Sequence, residues 1–390
     1  MSGPADIVIV GGGGVGSAIA YFLTCYAPDV KVVVYERDPT YAHASTTLAA
    51  GGIRQMFSTP ENVLMSQFGL SFVLDAAETL AVDGDAPDMG FKPESYMRLL
   101  PESARAVVER QVDLQRSLGA RPQVIEQGAL ADRFPWLNVE DVAFAVLGGG
   151  GEGVFDPYAL LQALRRKAIR QGAAFRTAQV TGFERDAAGA MVGVLLADGS
   201  RQACGLVINA AGPQAGAVAA LAGFDLPVRP LKGHTFAFRS RTAIADFPIT
   251  LDQVTGFNVK PEGDLFLASW PREAEPENAD DFEVDHALFE DQVWAALAHR
   301  VPAFEAVKLA RAWVGHIEWN TFDANPVLGP HPDCPSFVFA NGFSGHGVQH
   351  IPAAGRAVAE LLVFGQYRAL DLSRFGYQRL LDDQPLREMI

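Results

Sequence analysis

Asp6-Ile7-Val8-Ile9-Val10-Gly11-Gly12-Gly13-Gly14-Val15-Gly16 is the stretch on which the reading of this chain turns. Its first half is a short, β-branched apolar run, the profile of a strand buried on both faces. Its second half holds Gly-x-Gly-x-x-Gly at Gly11, Gly13 and Gly16. Ser17 to Ala27 reads as a helix with small residues early on. Lys31 to Tyr35 reads as a second strand, and Glu36 and Arg37 stand at its end. Each part has a physical task. Gly11 permits a tight turn, Gly13 lets the backbone approach a pyrophosphate, and Gly16 lets the helix pack on the sheet. The N-terminus of the helix that follows offers free N–H groups and a positive dipole end, which suit phosphates. Glu36 is placed to accept hydrogen bonds from a ribose 2′-OH and to repel a 2′-phosphate. The pieces together predict a dinucleotide site. A glycine-rich turn in an ordinary β-α-β unit would leave Glu36 unexplained.

The 390 residues suffice for two or three domain-sized cores, and 49% hydrophobic with 20% charged residues is the balance of a folded protein. A net charge of −15 argues against nucleic acid as a partner. The first residues lack a basic region, which argues against a signal peptide, and no apolar run is long enough to predict a membrane span. Cys25, Cys204 and Cys334 have no metal-ligand spacing and read as buried free thiols. The expected compartment is the cytoplasm, and no metal is expected.

Beyond Glu36 the chain turns small and polar from Pro39 to Thr59, which suits close approach to a flat ligand. Helices are predicted over 61–81, 103–118, 129–134, 158–171 and 287–300, the fourth with Asp156 as N-cap and Pro157 at its first position. Strands are predicted over 90–100, 175–183, 192–196, 206–209, 234–239, 256–260, 265–270, 311–319 and 336–340. The glycine run 148–153 reads as a loop crossing between domains, and the acidic run 272–285 as a solvated surface loop. On the strand 311–319, Val314, His316, Glu318 and Asn320 share one face. A helix follows Gly342-Phe343-Ser344-Gly345-His346-Gly347 and runs to about Phe364. Nucleotide-type pieces thus lie at the start, middle and end of the chain, with mixed β segments between them. This is an α/β chain in which a Rossmann-like domain (1–88, 150–220 and 320–370) interleaves with an α+β substrate domain on a mixed or antiparallel sheet (89–149 and 221–319). A tail covers 371–390.

Four motifs then carry a resemblance over nearly the whole chain: the glycine motif with Glu36, Ser45-Thr46-Thr47-Leu48-Ala49-Ala50-Gly51-Gly52-Ile53-Arg54, Val207-Ile208-Asn209-Ala210-Ala211-Gly212, and the Gly342–Gly347 loop. Together they resemble the D-amino-acid oxidase/sarcosine oxidase (DAO) superfamily of FAD-dependent amine oxidoreductases. The last motif is one that NAD-dependent dehydrogenases lack. Ala49 to Phe57 and Asn320 to Gly329 look closest to a branch with a mitochondrial complex I assembly flavoprotein and bacterial relatives.

The resemblance implies noncovalent FAD. Its ADP half would sit on Gly11, Gly13, Gly14, Val15, Gly16, Glu36, Arg37, Val180, Ala211 and Gly212. Its pyrophosphate and flavin would run along Ser45, Thr46, Thr47, Leu48, Ala50, Gly51 and Gly52, and the pyrimidine edge would meet Gly342, Gly345, His346, Gly347, Val348 and Gln349. Arg54 resembles the arginine that grips a substrate carboxylate, which a guanidinium does bidentately. Gln349 stands where a lysine often assists, and His316 where some relatives link flavin through cysteine. Leu48 stands where others link it through histidine. Glu318 is placed to attract a cationic amine or to satisfy a nearby backbone group. His234 and Trp270 are weaker lining candidates, while His43, His286, His299 and His331 read as surface residues. The lysine that some amine oxidases use toward oxygen would fall near Leu265-Phe266-Leu267, where none occurs, which favours a dehydrogenase over an oxidase.

The expected reaction is oxidation of the C–N bond of an amino acid or N-substituted amino acid by hydride transfer to flavin, the imine then being hydrolysed. Electrons would pass to a protein, a quinone or oxygen. A 2-hydroxy-acid dehydrogenase would use the same apparatus with a base such as His316. A non-catalytic, flavin-stabilised assembly or binding protein would show a plugged cavity and an Arg54 neutralised by an internal acid.

Overall fold

The computed structural model describes residues 5–271 and 278–389. Ala5–Val10 lies between Val32–Glu36 and Arg201–Asn209, parallel to both, so that Ile9 stands opposite Val34 and Ile208. Ala174–Thr177 extends the sheet beyond Val32–Glu36, and Cys334–Asn341 pairs in parallel with Arg201–Asn209. Val8, Ile9, Val34, Val207, Ile208 and Val338 are fully buried, as strands covered on both faces require. The helix Gly14–Tyr26 packs against Pro157–Arg170 and Gly347–Phe364. It crosses the latter where Gly355 meets Ala18, too close for any side chain on the glycine. Asp156 caps Pro157–Arg170 as expected, accepting from the N–H groups of Tyr158 (2.9 Å) and Ala159 (3.0 Å).

The second sheet has eight strands in the order Val307–Asn320, Val228–Ser240, Leu265–Pro271, Phe257–Glu262, Ile249–Asp252, Tyr96–Leu100, Phe144–Leu147 and Gln123–Glu126. All neighbours are antiparallel except Ile249–Asp252 beside Tyr96–Leu100, so the sheet is mixed. One face buries an aromatic core that includes Phe236, Phe238, Phe257, Phe289 and Phe304. The opposite face carries Thr235, Ser269, Asn258 and Leu251 in one cross-strand row, turned toward the stretch from Ser45 to Arg54 and the loop after Phe343.

Several expectations are corrected. The single strand expected over 175–183 is two, Ala174–Thr177 and Val180–Arg185, because the chain leaves the parallel sheet where Val32–Glu36 ends and then pairs antiparallel with Met191–Leu196. The helix expected over 61–81 ends at Leu74, with a separate turn at Ala76–Thr79. Short strands at Phe144–Leu147, Ile249–Asp252 and Val327–His331 carry too little periodicity to be read from sequence. His331 is buried rather than on the surface, stacked 4.1 Å from the Phe224 ring. Cys204 and Cys334 are buried and Cys25 part-buried, all three as free thiols. No helix among the described residues is long and apolar enough to cross a membrane, and none of their acidic, histidine and cysteine side chains cluster as a metal site.

The tail is bound tightly. Arg379 pairs with buried Asp323 at 2.8 Å. The Glu388 carboxylate accepts from the backbone N–H of Ser58 (2.6 Å) and Thr59 (2.9 Å) and from the Asn62 amide (2.9 Å). It thereby serves as the anionic cap of the helix Pro60–Leu74, which has no side-chain cap of its own.

Candidate active site

Two adjoining cavities, of about 530 and 320 Å³, share Val15, Ser45, Thr46, His316 and Glu318 and form one cleft between the sheets. The larger lies at the carboxyl ends of the parallel strands. Gly11 takes φ +100°, and a side chain there would overlap the Ala210 carbonyl. One on Gly16 would overlap the Gly11 carbonyl oxygen, so this residue sets the approach of helix to strand. Gly13 differs, because a Cβ there would meet only Thr46 Oγ1 at 4.0 Å. The space before it is an open hollow. Glu36 braces the turn from the side, accepting from the N–H of Gly12 (2.8 Å) and of Asp38 (2.9 Å). The Gly14 N–H donates to Thr46 Oγ1 at 3.2 Å, and Thr47 Oγ1 is buried without a partner. Ala211 and Gly212 close the far wall. Val180 stands behind that wall in the core, and its neighbour Gln179 faces the cavity.

The acidic run is the largest correction. Residues 272–277 lie outside the described residues, and 278–285, though exposed at Asn278, Asp280 and Glu283 as a solvated surface loop would be, are tied down rather than free. They strap across the cleft. Arg37 pairs with Asp280 at 2.6 Å and Lys232 with Asp281 at 2.7 Å. The Asp285 N–H donates to His234 Nε2 at 3.1 Å. Phe282 packs 4.3 Å from the His43 ring and 5.0 Å from the His316 ring. The run's charge suggested solvation, whereas two of its acids, Asp280 and Asp281, answer cations held by the two sheets.

The smaller cavity has the stretch from Ser45 to Arg54 and the loop Gly345–Gln349 as its floor, with the second sheet as roof. Leu48, Ala50, Gly51 and Gly52 line it, as do His346, Gly347 and Val348. Gly342, at φ +85°, lies just outside and donates its N–H to Glu318 Oε2 at 3.0 Å. Gly347–Phe364 starts with no side-chain cap, so its first N–H groups stay available to the cavity. The Arg54 N–H donates to Gln349 Oε1 at 2.7 Å, which leaves the Gln349 amide NH₂ facing the cavity. The Arg54 guanidinium lies 4.8 Å over the Phe57 ring, and its Nε is buried without a partner. It forms no ion pair among the described residues.

His316 holds its Nε2 2.7 Å from the Asp281 carbonyl oxygen, which assigns the proton to Nε2 and leaves Nδ1 as an unpartnered acceptor. Burial pushes the Glu318 carboxyl up to about 7. His346 is buried, with Nε2 3.2 Å from the Ala324 carbonyl and Nδ1 3.3 Å from His350 Nδ1; burial pushes it down to about 4. Trp270 and His234 line the roof.

Sequence reasoning missed three residues here. His350, one helical turn after His346, is fully buried, and its Nε2 lies 2.9 Å from Ser66 Oγ. Glu152, in the glycine run read as a crossing loop, is buried beneath Arg54 and Tyr96. Lys260 lines the cavity directly across from Leu267, so a lysine does stand beside the segment where none was found. The two-residue hairpin turn Gly263-Asp264 fixes that pairing and could have revealed it.

Glu152 allows a pH test. Burial raises its carboxyl from 4.5 to about 7, so the folded protein holds this proton more tightly than the unfolded chain. The associated stability is present below pH 4.5 and is lost as the pH rises toward 7. Glu152→Gln removes that loss. The melting temperature of the variant relative to the parent should rise by roughly 2–5 °C between pH 5 and pH 8. An offset independent of pH would refute the assignment.

The hollow at Gly13, the acid at Glu36, the unpartnered Thr47 hydroxyl and the uncapped helix before the second cavity fit FAD along the full cleft. The comparisons agree. The family model "FAD dependent oxidoreductase" (DAO) matches residues 6–361. The chain is 40% identical to FAD-dependent oxidoreductase domain-containing protein 1 of Xenopus laevis, over 98% of this chain and 84% of that one. It is 27% identical to glycine oxidase of Geobacillus kaustophilus, over 96% and 97% of the two chains. Its fold matches L-proline dehydrogenase from P. horikoshii with a TM-score of 0.85 at 24% identity, covering 99% of this chain and 100% of the other. The chain belongs to the DAO family of FAD-dependent oxidoreductases.

Proposed function

We propose that this protein oxidises the C–N bond of an amino acid or N-substituted amino acid. The observation that carries this is Arg54: a cation with a buried, unpartnered Nε, in an open cavity continuous with the nucleotide cleft. Leaving such a group without a counter-charge is costly unless a ligand supplies one. A carboxylate does so bidentately, and the Gln349 amide adds a neutral donor. The residues 1–88, 150–220 and 320–370 would hold FAD, and 89–149 and 221–319 the substrate. FAD, when bound, supplies the hydride acceptor.

The chain's own residues position and shield. Arg54 orients the substrate by its carboxylate, so that the carbon bearing the amine meets the floor formed by Gly345–Gln349. The roof strands exclude water while the hydride leaves, and the imine is then hydrolysed. The first N–H groups of Gly347–Phe364 favour negative charge at the cavity end they face. His316, whose Nε2 is engaged by Asp281, supports noncovalent cofactor binding. Lys260 removes the argument against oxygen as acceptor, so oxygen stands beside a protein or quinone.

An assembly or binding role is disfavoured, because the cavity is open and Arg54 forms no ion pair among the described residues, the nearby Glu152 being raised by burial toward its neutral form. Oxidation of a 2-hydroxy acid has one observation in its favour, the free Nδ1 of His316, which could accept a hydroxyl proton. An anaerobic absorbance titration against amino, N-methylamino and hydroxy acids separates these readings. Bleaching by amino or N-methylamino acids is the expected result. Bleaching by hydroxy acids alone would transfer the assignment, and bleaching by none would remove it.

The strap 278–285 predicts cofactor retention. Lys232→Met removes its buried tether and should speed FAD release about 5–10-fold, read from the rise of free-FAD fluorescence after dilution. An unchanged rate would mean that the strap does not hold the cofactor in place.

A further inference from the structure

Arg54 is not the only cation in the substrate cavity. Lys260 lies on the roof, on the same sheet face as Asn258, with its side chain 8% exposed. Its cross-strand neighbour is Leu267, and continuing the register of Thr250 with Val259 puts Ile249 on its other side. Neither can balance a charge. The Lys260 ammonium instead holds Glu262 Oε2 at 2.6 Å, and Glu262 is half exposed at the rim. Glu318, the acid shared by both cavities, is engaged by the Gly342 N–H and is raised by burial toward its neutral form. Of the two acids near these cations, Glu262 stands at the rim, and Glu152, beneath Arg54, is pushed by burial toward its neutral form, so neither gives Arg54 and Lys260 a buried, fully ionised partner.

The two cations bracket the space. Tyr96 lies two strands from Lys260, about 10 Å between backbones. The Tyr96 hydroxyl reaches Gly52, two residues before Arg54. The long arginine and lysine side chains thus line one chamber, Arg54 from its floor and Lys260 from its roof. A buried lysine on the inner face is expensive to keep if a rim acid is its whole purpose.

Resting on the reading of this cavity as the substrate site, we infer that the substrate carries a second carboxylate. Arg54 holds the carboxylate next to the amine, and Lys260 holds the distal one, which displaces Glu262 toward solvent. The substrate class is a dicarboxylic amino acid or an amino acid N-substituted with a carboxyalkyl group.

The test uses FAD-loaded protein and unreactive ligands, followed by the shift of the flavin absorbance bands. Succinate and glutarate are compared with propionate and butyrate. The dicarboxylates should bind about 10–100-fold tighter, since a charge-assisted hydrogen bond is gained. Lys260→Met should reduce that preference to within about twofold and leave monocarboxylate binding intact. Glu262→Gln, which frees the lysine at the solvent edge, should enlarge the preference. Equal binding of both classes by the parent, or a preference that survives Lys260→Met, overturns the inference. If Arg54→Met abolishes carboxylate binding while no dicarboxylate preference exists, only the Lys260 assignment falls. If no carboxylate perturbs the flavin in the parent, the reading of the cavity falls with it.

Discussion

Arg54→Met lowers kcat/KM for the oxidised amino acid by about 10²–10³-fold, while FAD content and melting temperature stay near those of the parent. The loss corresponds to about 3–4 kcal/mol, the usual cost of removing one partner from a desolvated, charge-assisted pair. Folding should be largely spared because the Arg54 side chain forms no ion pair among the described residues, buried Glu152 feeling it only at longer range; its backbone N–H, not its side chain, binds Gln349. The Phe57 ring below offers methionine an apolar surface in place of the cation. Arg54→Lys should recover only part of the rate, since an ammonium keeps the charge and loses the planar fork. The decisive measurement is the anaerobic rate of flavin bleaching against substrate concentration. Bleaching at the parent rate would end the claim that Arg54 holds the substrate.

The second large effect separates two glycines three residues apart. Gly13→Val should leave a folded protein that binds FAD at least 10³-fold more weakly. Its backbone is extended, at φ −59° and ψ −171°, and an added Cβ enters the open hollow, so the empty protein feels little strain. The valine instead occupies space that the pyrophosphate would need. Gly16→Ala should do the reverse in kind, because its Cβ overlaps the Gly11 carbonyl and must push helix and strand apart. A fall in stability of about 2–4 kcal/mol is expected, with FAD loss as a secondary result. Thermal melts of the FAD-free proteins beside FAD titrations distinguish the two. Equal destabilisation by both variants would contradict the hollow at Gly13.

What could be read from the residues follows a physical divide. The strand–turn–helix around Gly11 to Gly16 was legible because its signals are local: apolar run, glycine spacing and acid lie within about thirty residues of each other. The Gly342–Gly347 loop and Arg54 were legible through motif resemblance. Lys260 was not, because its place depends on pairing between strands, and a reading that stopped at Leu265–Leu267 missed the residue opposite. His350 was hidden in an apolar helix whose burial is set by packing on Pro60–Leu74. The run ending at Asp285 misled for a third reason. Its charge is real, but Arg37 and Lys232, which answer it, lie far away in the chain and meet it only after both sheets form.

The Glu388 carboxylate sits 330 residues from the Ser58 N–H it binds. The segment that positions Arg54 is therefore secured by one of the longest loop closures among the described residues, which a growing chain cannot complete until Glu388 has left the ribosome. The nucleotide cleft closes earlier, once Arg201–Asn209 and Cys334–Asn341 have joined Ala5–Val10. Cofactor capture can thus precede completion of the substrate pocket during synthesis. Glu388→Gln would weaken that late closure, and would disturb the pocket before it disturbed the yellow colour of the protein.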